Sequence, residues 1–489
     1  MKTFTASYLG RCRGTALLAA AVLTLWSAPL LHGATSVTQN GITWTFAEDR
    51  EVGTFCNGEY WVKGPVTIVG ISNNLHAAGF TPKLGQDGSM VNPGATSKQG
   101  YDCTLNTYDA SLNAGLPNGK PISKDNPLVL APSQTLISMV SWLYRSEKDT
   151  EPGCPRFNGG TKAPRPVTRS AALLTCLTEA PPEGSFRPPY CGSDKTIKYN
   201  RKTLKTKLLK NLAPVGATPD VAGVEKSMAR TWVDHVHEFS GAMVHPSEHM
   251  PNYGRDMTRE MSEAALMLQL DFSALPGKPS KDQILIHLVQ YGIDSAGIAD
   301  NGGGWPANGG HGLGRKWPIL FAGLMLDDAH MKDVGHWKTR FQEDEQTFYV
   351  SQKDVDMTHS SQWAPDKRAP IQAYETEDIG MPEWGIRHAE KPEADNRNLK
   401  AMYRGVNTPL YPGMALVVLI MDQKKAWNHD ALFDYTDRYM KLLSENKAKD
   451  IGKPRPFFAN MWKAYRKQCE PPAEEKPPVA TPPSNTLNP

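Results

Sequence analysis

A chain of 489 residues is too long for one small module and, at roughly 100–200 residues per domain, holds two to four units. Hydrophobic residues at 39% and charged residues at 21% exclude wholesale disorder and leave enough apolar surface for a sizeable core. The formal net charge of +3 belongs entirely to the first 34 residues, so it says nothing about the partners of the rest.

Residues 1–34 read as a secretory signal. Lys2, Arg11 and Arg13 make a basic start with no acidic residue, the apolar run Ala16–Trp26 follows, and Gly33 and Ala34 supply small residues near a cleavage point. The run falls well short of the roughly 20 residues that span a bilayer. Without these three charges, 51 Lys and Arg remain against 51 Asp and Glu. A secreted or periplasmic location is expected, with no membrane span after signal removal. Export also permits disulfides among the six remaining cysteines, with Cys154, Cys176 and Cys191 the first candidates.

Residues 35–145 read as β-rich. The segments 42–46, 60–71, 127–131 and 135–144 are dense in β-branched and aromatic residues and are separated by Gly, Pro and Asn clusters. Asn57-Gly58 between apolar runs predicts a hairpin. Residues 146–200 read as a long irregular connection rich in Pro, Gly and Cys. Within 161–210, eleven Lys and Arg face three Asp and Glu, a surplus that would attract a polyanion.

From 201 to 469 the pattern turns helical. Met261, Ala264, Ala265 and Leu268 share one helical face, and Ser280 with Gln283 predicts a capping box. Residues 318–326 and 413–421 are apolar all round, which predicts helices buried on every side. Residues 429–445 are amphipathic, with Leu432, Tyr435, Tyr439 and Leu442 in phase. The expected class is α+β: an N-terminal β-rich region, then a large α-helical domain, with an (α/α) toroid preferred to a plain bundle. Residues 470–489 form a Pro-rich tail expected to be extended or disordered.

Three segments interrupt the helical rhythm with polar, aromatic and Gly-rich sequence. The first, 245–260, carries His245, His249, Asn252, Tyr253 and Arg255. The second, 301–318, carries Trp305, Asn308, His311, Arg315 and Trp317 among seven glycines, which would let backbone approach a ligand closely. The third, 381–407, carries Glu383, Trp384, Arg387, His388, Tyr403 and Arg404. No P-loop accompanies the glycines. His245 and His249 lack the glutamate of a zinc-protease helix, and no DxDxDG calcium loop occurs. No metal or other cofactor is therefore expected, with a structural calcium ion left open. No nucleic-acid motif occurs either.

His, Tyr, Arg and Asn together suit β-elimination from a uronic-acid polysaccharide. Removing the C5 proton becomes feasible once the neighbouring carboxylate is neutralised. A Tyr or His can then take that proton, and Tyr can protonate the leaving O4. Trp offers sugars a flat face. The competing chemistry, glycoside hydrolysis, needs two carboxylates, with Glu383 and Asp395 or Glu260 and Glu263 as the pairs available. A non-catalytic carbohydrate-binding surface protein is a third reading.

With Tyr253, Arg255, His311 and Arg315 in interhelical segments, the chain resembles the (α/α)-toroid polysaccharide lyases, and among them polysaccharide lyase family 38, which acts on glucuronan and alginate. The resemblance covers 200–468 and is one of architecture and residue type. It implies Tyr253 as acid or base and His311 as second base or neutraliser. Asn308, Arg255 and Arg315 would then lie on the substrate carboxylate. Trp305, Trp317, Trp384, Arg387, His388, Tyr403 and Arg404 are the expected substrate-binding residues, and an anionic polysaccharide is the expected partner.

Overall fold

The computed structural model describes residues 32–146, 148–155, 164–245, 250, 252–361, 373–385, 401–448 and 451–470. Among them the chain is α+β, with strands first and helices after. The strands are β1 (His32–Gln39), β2 (Ile42–Thr54), β3 (Tyr60–Lys63), β4 (Val66–Asn73), β5 (Ser89–Val91), β6 (Leu128–Leu130), β7 (Gln134–Ser141) and β8 (Thr168–Leu177). They form one sheet in the order β5-β7-β8-β3-β2-β4-β6, with β1 on β2. All pairs are antiparallel except β3 with β8.

The Asn57-Gly58 hairpin is present: Thr54 pairs with Tyr60, and Gly58 takes the positive φ of 82° that the turn requires. β8 lies inside the segment that reads as an irregular connection. Residues Ala171–Leu177 are all buried, so β8 has no polar alternation to announce it. Its side chains instead divide between two cores. Ala172, Leu174 and Cys176 join Trp44, Val62, Ile68, Leu136 and Val140 in a core of the sheet alone. Ala171 and Leu173, with Ile137 and Met139 of β7, point the other way into the helical core. The sheet curls as it crosses: the Trp44 indole of β2 donates to Ser138 Oγ of β7 at 3.0 Å, across two intervening strands. β1 begins at His32, so it overlaps the end of the segment read as a signal.

The remaining elements are α1 (Val221–Met228), α2 (Glu238–Val244), α3 (Gly254–Leu268), α4 (Asp282–Asp300), α5 (Lys316–Leu326), α6 (Ala329–Lys332), α7 (Gln342–Gln346), β9 (Thr347–Tyr349), α8 (Gln352–His359), β10 (Pro382–Trp384), α9 (Ala401–Asn407), α10 (Tyr411–Ile420), α11 (Lys424–Trp427), α12 (Asp430–Ser444) and α13 (Pro456–Tyr465). Of these helices, α3, α4, α5, α10 and α12 fall where the sequence pattern places helices, and the others had no such signal. α5 and α10 are the two all-apolar segments and are buried almost throughout. The capping box at Ser280 is absent. Ser280 Oγ accepts from Asp282 N at 3.1 Å, but Lys281 is the N-cap residue of α4. No described helix is long and apolar enough to cross a membrane.

One further expectation fails. The described cysteines, Cys56, Cys103, Cys154, Cys176, Cys191 and Cys469, are all free thiols. Cys176 lies in the sheet core and Cys191 in the helical core, so crowding in sequence did not bring them together. The basic stretch is also largely neutralised in three dimensions. Arg169 pairs with Glu151, Arg201 with Asp282, Lys205 with Asp327, and Arg187 with both Glu59 and Asp294. Lys195 is buried among the carbonyl oxygens of Pro189, Tyr190, Cys191 and Gly192 at 2.6–3.3 Å.

Alkylation of the unfolded protein without reductant should label all six of these cysteines, read by mass spectrometry. Protection of any pair would show a bridge and overturn the free-thiol assignment.

Candidate functional site

Tyr253 caps α3 with φ 39° and ψ −98°, a backbone conformation that costs a non-glycine residue on the order of 1–3 kcal/mol. What holds it there is a buried carboxylate. The Tyr253 hydroxyl donates to Asp234 Oδ1, and the Tyr291 hydroxyl of α4 donates to Oδ2 at 3.2 Å. Arg315, just before α5, grips the same carboxylate with two bonds, Nε to Oδ2 at 2.9 Å and Nη2 to Oδ1 at 3.1 Å. The backbone N–H of Asp234 donates to Tyr190 Oη at 2.7 Å. Arg315 also lies over the Tyr253 ring at 4.5 Å and donates through Nη1 to the carbonyls of His311 and Leu313. Burial, the largest single influence, opposes its charge, yet Asp234, Tyr291 and Glu343 together hold the guanidinium above its ordinary value. His245 sits edge-on to Tyr253 with ring centres 5.0 Å apart, and burial, then the Arg315 charge, keep its imidazole neutral.

Val236, Tyr253, Trp305, Pro306, Asn308, His311 and Gly312 line one narrow pocket. Its volume of about 10 Å³ suits about one water. A sugar ring does not fit it without opening the rim. Arg255, one residue into α3, lays its stem against the same loop: a Cβ on Gly310 would come within 2.8 Å of Arg255 Cγ. Its guanidinium donates to the Asn252 side chain and joins no ion pair among the described residues. Burial pulls its pKa below the ordinary value. Arg165 lies close enough that the charge of Arg255 depresses it as well, after burial.

The glycines of this loop serve the protein's own packing more than a ligand. A Cβ on Gly254 at the start of α3 would meet Gly310 O at 2.3 Å and His311 O at 2.4 Å. Gly314 adopts φ 91° with Thr258 Cα 2.7 Å from where its Cβ would be.

The structure therefore gathers Tyr253, Asn308, His311 and Trp305, with Arg255 alongside. It separates the others. Arg315 is wholly buried and committed to Asp234, so it is not offered to a substrate carboxylate. Trp317 and Trp384 are each 1% exposed and belong to the core, leaving no face for a sugar. Arg404 pairs with Glu383, 3.2 Å away, and Arg438 reaches the same carboxylate at 3.4 Å. Tyr403 is half-buried against the helical core, close enough to Arg255 to influence its charge. Arg387, His388, His249 and Asp395 lie outside the described residues. Of the hydrolase carboxylates, Glu383 is consumed by the two arginines, Glu260 accepts from Ser227, and Glu263 pairs with Arg455 at 2.7 Å. No group of three or more His, Cys, Asp or Glu among the described residues is arranged to hold a metal ion.

Sequence reading missed Asp234 and Arg165. Asp234 had a signal: it is the one acidic residue in 231–236, among Trp232, Val233 and Val236, which marks a carboxylate that must be paired if buried. A larger cavity of about 970 Å³ lies near the ends of α10 and α13. It is lined by Lys210, Lys424, Lys425, Asp422, Asp430 and His429 among others, and by none of the sequence-predicted residues. Its charges balance, and Lys424 is shared between Asp430 and Asp434, so it supplies no distinct chemistry.

Comparison with known proteins found no matching family model, no matching curated protein and no matching solved structure.

Two measurements probe this site without assuming a reaction. Asp234→Asn should cost about 3–5 kcal/mol in urea unfolding, because it strands the buried Arg315 charge. Tyr253→Phe should cost about 1 kcal/mol, the worth of one hydrogen bond. Equal costs would show that the ion pair is not the anchor. The second concerns Glu343 of α7. Burial, aided by the Asp344 charge, pushes its carboxyl up from 4.5 to about 7. An acid whose folded pKa is raised contributes stability that is complete below its unfolded pKa and is lost as pH rises through the folded one. Glu343→Gln should therefore match the wild type near pH 4, and exceed it by on the order of 3 kcal/mol above about pH 8. A difference independent of pH would refute the assignment.

Proposed function

We propose that this protein is a polysaccharide lyase that cleaves a uronic-acid-containing polymer by β-elimination outside the cytoplasm. The observation that carries the reading is the shared pocket of Tyr253, Asn308, His311 and Trp305, with Arg255 packed on the same loop and free of any carboxylate partner among the described residues. An arginine kept partly from water without a counter-charge favours an incoming anion.

In this reading Arg255 and Asn308 neutralise the uronate carboxylate and stabilise the enolate that forms as C5 loses its proton. His311 takes that proton. The C4–O4 bond breaks, C4 and C5 become doubly bonded, and Tyr253 protonates the departing O4. For that step the Tyr253 hydroxyl turns to O4 from Asp234, to which it otherwise donates. Trp305, stacked on Phe341, forms one wall of the pocket, and the chemistry calls for no cofactor. For the helical part we propose an (α/α) toroid, with α3, α4, α5 and α10 as its inner layer. The reading is supported by the mutual packing of α3 with α4 and α10, and of α4 with α5, and by the all-round burial of α5 and α10.

Incubation with alginate, glucuronan and glycosaminoglycans should raise the ultraviolet absorbance of an unsaturated uronate on at least one of them. On that polymer, His311→Ala and Tyr253→Phe should lower kcat by about 10²–10⁴-fold. Arg255→Gln should lower kcat/KM by roughly 10–100-fold, the worth of a charged hydrogen bond. A folded His311→Ala protein with full activity would remove that loop from the mechanism. New reducing ends without absorbance would replace elimination by hydrolysis. Polymer binding with neither signal would make the protein a carbohydrate-binding one.

A further inference from the structure

The pocket's His311 loop has no regular structure of its own, yet its backbone is held from one side by a single buried side chain. Gln342, the first residue of α7, is fully buried. Its amide oxygen accepts from Asn308 N at 3.1 Å and from Gly312 N at 2.8 Å. Its amide nitrogen donates to Gly309 O at 3.0 Å and to Gln346 Oε1 at 2.8 Å. Three backbone groups on both sides of His311 thus converge on one primary amide. Other polar groups extend the grip: Glu345 accepts from Ala307 N at 2.6 Å, and Asn407 donates to the same Gly309 carbonyl.

We propose that Gln342 is a positioning residue, whose amide fixes the height and turn of the 308–312 loop and so sets His311 against Tyr253. The chemistry of the side chain explains why glutamine stands there. Two converging N–H donors need one acceptor, and the carbonyl between them needs a donor, in a place closed to water. A primary amide supplies one oxygen able to accept both N–H groups and, on a separate atom, two N–H donors, all without charge, which neither a hydroxyl nor a neutral imidazole does. A loop rich in glycine loses much backbone freedom on ordering, so its geometry depends on external bonds of this kind. The inference rests on the lyase reading only in its kinetic arm.

The test uses the intact protein with Gln342→Met, which keeps bulk and removes every bond, and Gln342→Glu at about pH 4, where a buried carboxyl is protonated and keeps an acceptor oxygen and one donor without charge. Hydrogen exchange is followed at Asn308 and Gly312, with β7 and α4 as internal references. In Gln342→Met, both loop amides should exchange roughly tenfold or more faster while the references stay unchanged. In Gln342→Glu they should remain protected. If the wild type is a lyase, Gln342→Met should lower kcat by about 10–100-fold with KM nearly constant, since a misplaced base weakens the transition state more than binding. Gln342→Glu should restore most of that loss. Unchanged loop exchange in Gln342→Met overturns the proposal. If the Met variant unfolds, loss of protection at Asn308 and Gly312 in a folded Gln342→Glu protein overturns it instead. A wild type inactive on every polymer sinks the lyase reading but leaves the exchange result to decide the clamp.

Discussion

The helical half is organised around one carboxylate. Asp234 is buried, and everything that reaches it comes from a different part of the chain: Tyr190 before the helices, Tyr253 at the cap of α3, Tyr291 in α4 and Arg315 ahead of α5. A charge in that position must be matched, because an unpaired carboxylate in a low-dielectric interior costs several kcal/mol. A buried pair adds little net stability over a well-packed apolar alternative. What it imposes here is geometry, because Tyr253, Tyr291 and Arg315 bring α3, α4 and the start of α5 to the same carboxylate. The strained Tyr253 backbone is held within that arrangement.

The Gly-rich loop follows from the same constraint. Arg315 ties its C-terminal end through the His311 and Leu313 carbonyls, and α3 presses so near that Gly254 and Gly310 leave no room for side chains. From the opposite side, α7 supplies amides and carboxylates for the exposed backbone groups. A loop held from both sides presents His311 and Asn308 to the pocket with little freedom. That is the condition under which a weak base can be aligned to a carbon acid.

Electrostatics changed most between one dimension and three. The surplus of positive charge in 161–210 looked like a polyanion track, but Arg169, Arg187, Arg201 and Lys205 find carboxylates far away in sequence, and Lys195 finds backbone carbonyls. Arg187 even joins the two halves, linking Glu59 beside β3 to Asp294 of α4. Arg255, in a segment with no conspicuous charge surplus, joins no ion pair among the described residues. Local charge counts report composition, whereas attraction for a ligand depends on which charges remain unmatched after folding.

Local residue type and spacing alone determined the α+β order, the Asn57-Gly58 hairpin, the amphipathic face of α3 and the full burial of α5 and α10. Each of these is a local consequence of which residues stand near one another in sequence. Residue type alone also marked Tyr253, Asn308 and His311 as worth watching. Tertiary structure decided everything that depends on distant partners. It made β8 a central strand, since a segment buried on both faces carries no alternation. It left the cysteines apart, because two cores separate Cys176 from Cys191. It turned Arg315, Trp317 and Trp384 inward, because an aromatic or arginine in a Gly-rich or interhelical segment looks the same in sequence whether it faces a ligand or a core. And it chose the partners of Asp234 and Gln342: the sequence marks Asp234 as a carboxylate in need of a partner, but only the fold brings Arg315, 81 positions away, to it, and Asn308, 34 positions away, to Gln342.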